Sequence, residues 1–596
     1  MPPTKPTAER DAPRLLSPQL AYFQQHGEVF AYHNLFGFLL KMSADLIELL
    51  EFHRDTPRPR AQVVERFAGT FSRAQLDEFL DVLGEWSCLV ADPAAERAEL
   101  WSMIPVRARW VVFHQPSERE LTLWRTDRQG RSYSEGAPAW AARLWARIDR
   151  KKTLRQLVDE VRDAAVDAEA FDREVQALMN AWVHADRQYL RFARTPPPRS
   201  EHQWPSYLRS MMPFAPLRPG VDPLPQSPLE PLATPVAPPH RYYESEVADA
   251  ERQFRETETT LSHLLRVPHP LLGGATYAQR LTDALITEGL LREPGADEAL
   301  SILEIGAGLG HLAEGVLSRL RERHPKRFAA VRYTILDLSP ALRAAQARRL
   351  AEASLLDKVT WLGANAEHLE LPEASFDLVL SNEVIGDLTN VKLSRELLGL
   401  DDEHSPAESY AEWSAETTER LGATGRVLRA YSIDLSDSPA EFFFNVGSVE
   451  LLERIARALR PGGGAFLSEY GERSRYPIAG THLDHLEFSI HFAPLMQVAE
   501  RLGLEASLQS VQELIGLDRS ALTLATTRTY FSSLRAMLAA AGRELDKIAY
   551  TREMFLELVR GALDLDRIGD VRFHPVDERC MGLAPHEFKA LIVLKR

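Results

Sequence analysis

The chain has 596 residues, 45% hydrophobic and 26% charged, a globular balance that excludes disorder, collagen and low-complexity fibres. Lys and Arg total 70 against 85 Asp and Glu, a formal charge of −15 that repels phosphate backbones and makes nucleic acid an unfavourable partner. Cys88 and Cys580 are the only cysteines, too few for a disulfide framework or a Cys-based zinc cluster. No apolar run approaches the roughly 18 residues of a membrane helix. The opening MPPTKPTAERDAPR has no apolar core and does not read as a signal peptide. A cytoplasmic protein of two or three domains is expected.

Residues 15–95 and 105–195 read as two copies of one small α+β module. The runs EVFAYHN from Glu28 and ARWVVFH from Ala108 are strand-like, being rich in aromatic and β-branched residues. In the first module the patterns ADLIELLEF (capped by Ser43), AQVVERFA and RAQLDEFLDVLGEW (capped by Ser72) follow, ending in CLV. In the second the same order appears as PAWAARLWARI, TLRQLVDEV, AEAFDREVQALMNAWV and YLRF. Each helix carries apolar residues at helical spacing, so a duplicated winged-helix-like module is expected. Asp77, Glu78 and Asp81, or Glu169, Asp172 and Glu174, lie on the third helices. An acidic helix is a poor reader of a major groove. A helical accessory or dimerisation domain, and hence a homodimer, would account for the same pattern. Trp110, Trp124, Trp140 and Trp145 read more readily as core than as a ligand cage.

Between Pro196 and Pro239 stand 14 of the 38 prolines. Proline removes backbone donors and disfavours helix before it, so 196–240 is predicted to be an extended linker. It leads into a C-terminal region, 241–596.

From Ser301 the chain reads SILEIGAGLGHLAEGVL, a buried strand, a glycine-rich turn and an amphipathic helix. Gly306, Gly308 and Gly310 allow a tight turn and close approach of backbone to a ligand. Glu304 falls at the strand's carboxyl end, where open α/β sheets bind ligands. The third glycine of a dinucleotide fingerprint would fall at His311, so the pattern favours a nucleoside over a pyrophosphate. VRYTILDLSP ends a second strand in Asp337, a carboxylate able to accept both ribose hydroxyls. VTWLGANAEHLEL is a third strand followed by Asn365, and FDLVLSNEVIGDL a fourth presenting Asn382, Glu383 and Asp387. RPGGGAFLSEYG provides a Pro-Gly-Gly-Gly turn before a fifth strand, and FKALIVLK suits the last. Residues 386–445 and 515–575 are predicted insertions. The first falls at the ligand edge and carries Asp401, Asp402, Glu403, Glu408 and Glu412, which suit a basic acceptor or a solvated surface equally. The second shows only helical patterning.

These α/β units resemble the class I S-adenosylmethionine-dependent methyltransferases. The resemblance implies a Rossmann-like, seven-stranded sheet with S-adenosyl-L-methionine as cofactor. It places Glu304, Gly306, Gly308, Gly310, Asp337, Asn365 and Asn382 around that cofactor, with Asn365 where many members carry Asp. More narrowly, EIGAGLGHLAEGVL, YTILDLSPALRAAQARRL, SNEVIGDL, SEYGER, EFSIHFAPLMQVAERLGL and MGLAPHEFKALIVLKR are similar to the MidA-like family, which includes the mitochondrial complex I assembly protein-arginine methyltransferase. The family's usual substrate-side loop has no counterpart upstream of Leu303. The N-terminal modules resemble PqqD-like peptide-recognition elements, carried by TLWRTDRQGRSYSEGAPAWAARLWARIDRKKTLRQLVDEV and MNAWVHADRQYL. In those elements a three-stranded wing and a helix trio clamp a leader peptide by strand addition.

Methyl transfer is an in-line displacement in which positioning supplies most of the acceleration. An amine or guanidine acceptor must lose a proton, and nearby carboxylates can take it. Glu383 and Asp387 are the candidate catalytic carboxylates, with Tyr470 expected to line the acceptor side. Helix capping would explain the two acids, and burial in the core the tyrosine. No N-P-P-Y-type motif is present, which disfavours methylation of a base. His482, His485 and His491, with Asp484 and Glu487 near them, hint at a metal. His482 and Asp484 would alternate in a strand, so no metal is expected. The combined reading is a peptide methyltransferase acting on a ribosomally made precursor held by its leader. A protein-arginine methyltransferase acting on a folded partner and a non-catalytic cofactor-binding assembly factor are the alternatives.

Overall fold

The computed structural model describes residues 11–25, 28–108, 111–126, 131–163, 166–184, 186–196, 215–224, 235–236, 260–295, 298–401, 404–482, 485–518, 520–526, 528–564, 567–569, 571–575 and 587–596. The chain divides into two compact units. One comprises Met1–Leu229, Thr527–Leu545 and Leu556–Val571, the other Glu230–Thr526, Asp546–Phe555 and Arg572–Arg596.

The second unit is built on strands β1 (Leu300–Ile305), β2 (Val331–Leu336), β3 (Val359–Leu362), β4 (Phe376–Asn382), β5 (Leu459–Glu472), β6 (Leu504–Ser510) and β7 (Glu587–Lys595). Their order is β3-β2-β1-β4-β5-β7-β6. The first five are parallel, and β7 runs antiparallel to both β5 and β6. This is a Rossmann-like arrangement, and its strand order reverses between β1 and β4, where such sheets bind ligands. The sheet counts eight strands rather than the expected seven, because the two-residue strand Ile490–His491 joins the end of β5.

Helices cover both faces, so the strands are apolar throughout rather than alternating. Ile302, Leu378 and Phe466 pack on one face with helices Tyr277–Thr287 and His311–Arg323, while Leu303, Val379 and Ala465 pack on the other with Val446–Ala458 and Phe492–Arg501. Burial of such side chains contributes about 1.5–3 kcal/mol each. The predicted Pro-Gly-Gly-Gly turn is instead an irregularity inside β5. Phe376 pairs Leu459 and Leu378 pairs Gly464, so the extra residues bulge outward. In the insertion 386–445, Asn390–Ser394 pairs with Glu441–Phe444 and with Pro235–Val236.

The first unit contains the duplicated module. Each copy is a three-stranded antiparallel meander followed by three helices. In the first copy these are Leu20–Gln25, Glu28–His33 and Phe38–Met42, then Ala44–Glu51, Arg60–Phe67 and Arg73–Glu85. In the second they are Val112–Ser117, Glu120–Thr126 and Ser132–Gly136, then Ala139–Arg147, Leu154–Val161 and Ala168–Val183. A short antiparallel pair closes each copy, Leu15–Leu16 with Leu89–Val90 and Ile104–Arg107 with Leu190–Ala193. Capping boxes start the third helix of the first copy, Ser72 with Gln75, and the second helix of the second copy, Thr153 with Gln156, each satisfying two orphan backbone donors. All three strands precede the helices, so the wing expected of a winged-helix-like module does not follow the third helix. Trp145 and Trp182 are fully buried and meet edge to face, ring centroids 5.5 Å apart. Trp110 lies outside the described residues.

Two expectations about segment boundaries change. The proline-rich 196–240 is more than a linker, since Ala215–Leu217 adds a fourth strand to Leu20–Gln25. Most of its remainder lies outside the described residues. Residues 515–575 are not simply an insertion in the α/β unit. Helix Arg528–Ala540 packs on strand Glu120–Thr126, and Ile568–Gly569 pairs with Val112–Ser117. In the α/β unit, Leu522–Leu524 pairs with Phe573–Pro575. No described helix is long and apolar enough to cross a membrane.

Candidate functional site

The loop after β1 has Gly306, Gly308 and Gly310 at φ of 69°, 50° and 79°, a region that an L side chain enters only with strain. Space imposes the same demand. A Cβ on Gly306 would stand 2.5 Å from Val384 Cγ2, and one on Gly310 would stand 3.3 Å from the Gln346 Cα. Helix Pro340–Glu352 pins the loop. Gln346 Nε2 donates to the Gly308 carbonyl at 2.9 Å, and Arg349 Nε donates to the Leu309 carbonyl at 2.9 Å.

Asp337 follows β2 and is buried. One of its oxygens accepts the Ser339 N–H at 2.9 Å, the other Gln346 Nε2 at 2.7 Å. A carboxylate offers about four acceptor positions, so two donors leave capacity for a diol. Burial pushes the carboxyl up to about 6, while Ser339, Gln346 and the Arg343 charge restrain it. Gln346 ties the glycine loop to Asp337, and Trp361 Nε1 in turn donates to its Oε1 at 3.0 Å. Sequence reasoning missed Gln346, because a lone glutamine on a helix carries no signal of its own.

Glu304 is buried and accepts the Tyr333 hydroxyl at 2.8 Å. Burial pushes it up to about 8, with the Asp337 charge adding and the Tyr333 bond opposing. It is therefore protonated at neutral pH and belongs to the floor of the site. Its folded value lies above the unfolded one of about 4.3. The protonated carboxyl's contribution to stability is thus complete below about pH 4.3 and lost as pH rises through about 8. Glu304→Gln keeps an acceptor for Tyr333 without the charge. It is expected to flatten the decline of apo-protein stability between about pH 5 and 8, measured by denaturant titration at each pH. An unchanged slope would mean that Glu304 is ionised in the fold.

Asn365 spends its side-chain oxygen on the Glu367 N–H at 2.9 Å, closing the turn after β3. Asn382 was expected at the cofactor, yet its amide serves the protein. Its Oδ1 accepts the Tyr277 hydroxyl at 2.6 Å and the Ser468 hydroxyl at 3.0 Å, and its Nδ2 donates to Glu383 Oε1 at 3.1 Å. Glu383 itself has φ of 59°, and its N–H donates to the Ser468 carbonyl at 2.9 Å. Asp387 ends the short helical turn Ile385–Asp387.

Tyr470 does not line the acceptor side. Successive residues of β5 face opposite ways, and Tyr470 is buried with its ring edge-on to Phe588, centroids 5.5 Å apart. Its neighbour Glu469 faces the fourth strand's exit instead, accepting the Gly386 N–H at 3.1 Å. Burial raises Glu469 well above the ordinary carboxylate range, and the charges of Glu487, Asp387 and Glu383 add to it. Four carboxylates thus interact where sequence reasoning named two. His491 is buried with its ring tilted against Tyr476, centroids 4.6 Å apart, and burial lowers it to about 4. Asp484 lies outside the described residues.

Upstream of β1, residues 260–277 lie against the fourth strand's exit. The Ser262 N–H donates to Glu383 Oε1 at 3.4 Å, and the His263 and His311 rings lie 6.0 Å apart. Residues 546–549 brace this segment. Ala549 N–H donates to the Leu264 carbonyl at 2.8 Å, Arg266 pairs with Asp546 at 2.8 Å and donates to the Lys547 carbonyl, and His269 meets the Ala549 carbonyl.

Three positive-φ glycines beside a buried carboxylate, at the carboxyl ends of β1 and β2, fit a nucleoside with a ribose diol. The fold and site define a methyltransferase-type nucleoside-binding unit, and S-adenosyl-L-methionine is its cofactor. Residues 287–496, less than half of the chain, match the model of the family described as "Putative S-adenosyl-L-methionine-dependent methyltransferase". No curated protein matches the chain. Among solved structures, a superfamily member from Burkholderia thailandensis bound to S-adenosyl-homocysteine shares 17% identity over 60% of this chain and 87% of its own, with a TM-score of 0.29. A second structure from the same organism, described as uncharacterized, shares 19% over 60% and 87%, with a TM-score of 0.31. Phosphoethanolamine N-methyltransferase 2 from Haemonchus contortus, in complex with S-adenosyl-L-methionine, shares 13% over 64% and 62%, with a TM-score of 0.27. No residue role is transferred from these distant likenesses.

Proposed function

We propose that the chain methylates a peptide, a ribosomally made precursor held through its leader by the N-terminal modules in a cytoplasmic setting. The observation that carries methyl transfer is the glycine and Asp337 cradle at the carboxyl end of a sheet whose neighbouring strand exit carries Glu383 and Asp387. The cofactor, when bound, supplies an electrophilic methyl group. The chain's residues hold and orient. Asp337 accepts the ribose hydroxyls, the glycine loop admits close approach, and Asn365 borders the base. Glu383 and Asp387 present negative charge to the acceptor, with the buried Glu469 beside them. Such a cluster favours a basic nitrogen, whose proton a carboxylate can accept before displacement. This chemistry also suits the second reading, a protein-arginine methyltransferase of a folded partner.

The peptide part of the reading is supported by the first module. Strand Phe38–Met42 ends its sheet, so among the described residues its outer edge has no strand partner and can accept one. Beside it Val82 and Trp86 are 42% and 44% exposed, one helical turn apart, and Phe38 meets Trp86 edge to face at 4.9 Å. Among the described residues of Ala168–Val183, the matching helix of the second module, no large hydrophobic is exposed. The PqqD-like resemblance points the same way.

The test is transfer of radiolabelled methyl groups to short peptides encoded beside the gene, with and without their leader halves. Wild type is expected to label the leader-bearing peptide, and Trp86→Ala to raise KM at least about tenfold with kcat little changed, as expected when uniform binding is removed. Equal labelling of leaderless peptide would overturn the leader reading. Label confined to arginine of a folded protein would favour the second reading.

A further inference from the structure

We infer that Tyr277, Asn382 and Ser468 form a cradle whose task is to aim the Glu383 carboxylate at the methyl-transfer position, so that Tyr277 is a positioning residue for the reaction. The inference rests on the reading of Glu383 as the acceptor-side carboxylate and adds the residues that make it one.

The geometry is specific. Asn382 Oδ1 takes two hydroxyl donors, Tyr277 at 2.6 Å and Ser468 at 3.0 Å. With its oxygen held from both sides, the amide plane is set, and Nδ2 points at Glu383 Oε1, 3.1 Å away. The Ser262 N–H, at 3.4 Å, reaches the same oxygen. These two donors, one from a side chain and one from the backbone, therefore meet on one oxygen of the carboxylate.

The backbone shows a cost that this arrangement must offset. Glu383 has φ of 59°, a left-handed conformation that a non-glycine residue adopts only with strain. Its N–H is spent on the Ser468 carbonyl at 2.9 Å, so Ser468 holds both the backbone of Glu383 and the amide that aims its side chain. A glutamate serving only as surface charge would not need either. Tyr277 is 1% exposed. Its ring packs in the core, so Tyr277→Phe removes the hydroxyl and keeps the packing.

The experiment needs no knowledge of the acceptor. The amino analogue of the cofactor, sinefungin, carries a CH–NH3+ group in place of the methyl sulfonium, so it sets a cation where the methyl group is transferred. S-adenosylhomocysteine has nothing there. The ratio of their dissociation constants, from calorimetric titration, reads how well a carboxylate faces that position. Wild type is expected to prefer the amino analogue by about tenfold or more, the worth of one charge-assisted hydrogen bond.

Tyr277→Phe and Ser468→Ala are each expected to reduce that preference to about threefold or less, with S-adenosylhomocysteine affinity held within about twofold. Glu383→Gln is expected to abolish it. A structural role alone would weaken both ligands equally and leave the ratio intact. That result in both cradle variants overturns the inference, while collapse of the ratio in Glu383→Gln alone leaves the reading of Glu383 standing. No preference in wild type, or a preference that survives Glu383→Gln, overturns both together.

Discussion

Asp337→Ala is expected to weaken binding of S-adenosylhomocysteine by about 100-fold or more in calorimetric titration. The carboxylate is set by the Ser339 N–H and Gln346 Nε2, at 2.9 and 2.7 Å, and on the proposed reading its remaining acceptor capacity would take the ribose hydroxyls. Two hydrogen bonds to a charged acceptor contribute about 1.5–3 kcal/mol each, and every 1.4 kcal/mol is about tenfold in affinity. The truncation also frees Gln346, which holds the Gly308 carbonyl, so the glycine loop loosens as well. Burial pushes Asp337 up to about 6. Affinity is therefore expected to fall as pH drops through about 6, where the carboxylate gains a proton, and Asp337→Asn should lack that dependence. Wild-type affinity in Asp337→Ala would place the cofactor elsewhere.

Asp377→Ala is expected to destabilise the α/β unit by about 2–4 kcal/mol, a drop of about 3–6 °C in its calorimetric transition. Asp377 is 1% exposed at the start of β4. It accepts Arg292 Nη2 at 2.7 Å, Arg460 Nη1 at 3.0 Å and the Ser301 N–H at 2.8 Å, so it joins β1, β4 and β5 at the end of the sheet away from the cofactor. Removing it leaves a backbone donor unsatisfied and two guanidinium groups short of a partner. Both arginine side chains are 34% exposed, so water recovers part of the loss and the lower half of the range for a buried pair applies. Cofactor affinity measured below the transition should change little. A shift under about 2 °C would show that the arginines are adequately solvated without Asp377.

The glycine turn was legible because its geometry is carried by backbone. A turn that needs positive φ at three positions must be written in glycine, and Gly306, Gly308 and Gly310 are written so in adjacent sequence. Asp337 was legible for a similar reason, since a strand delivers its last residue to the edge of the sheet. Tyr470 and Glu469 show where such reasoning stops. They are neighbours on one strand, and sequence alone does not say which faces the fourth strand's exit and which the core. Register against β7 decides it, placing Tyr470 opposite Phe588.

Asn382 shows the same limit in another form. Its position at the strand tip was readable, but Tyr277 lies 105 residues away, and no local pattern connects a helix-starting tyrosine to that amide. Residues 515–575 have no motif because their roles are partnerships. Arg528–Ala540 lies on a meander whose strands are 400 residues earlier in the chain, counted in round hundreds from Glu120–Thr126. Residues 546–549 brace a segment near 265.

Sequence by itself determined the α/β class, the duplicated modules with their caps, and the glycine and Asp337 cradle, because periodicity, capping and positive φ are local demands that residue type must meet. Tertiary structure alone decided which side chains meet at the fourth strand's exit, which segments pack beside it, and which module exposes Val82 and Trp86 on its third helix. Those outcomes depend on strand register and on hydrogen bonds between distant segments, whose free energy is realised only when the chain is folded.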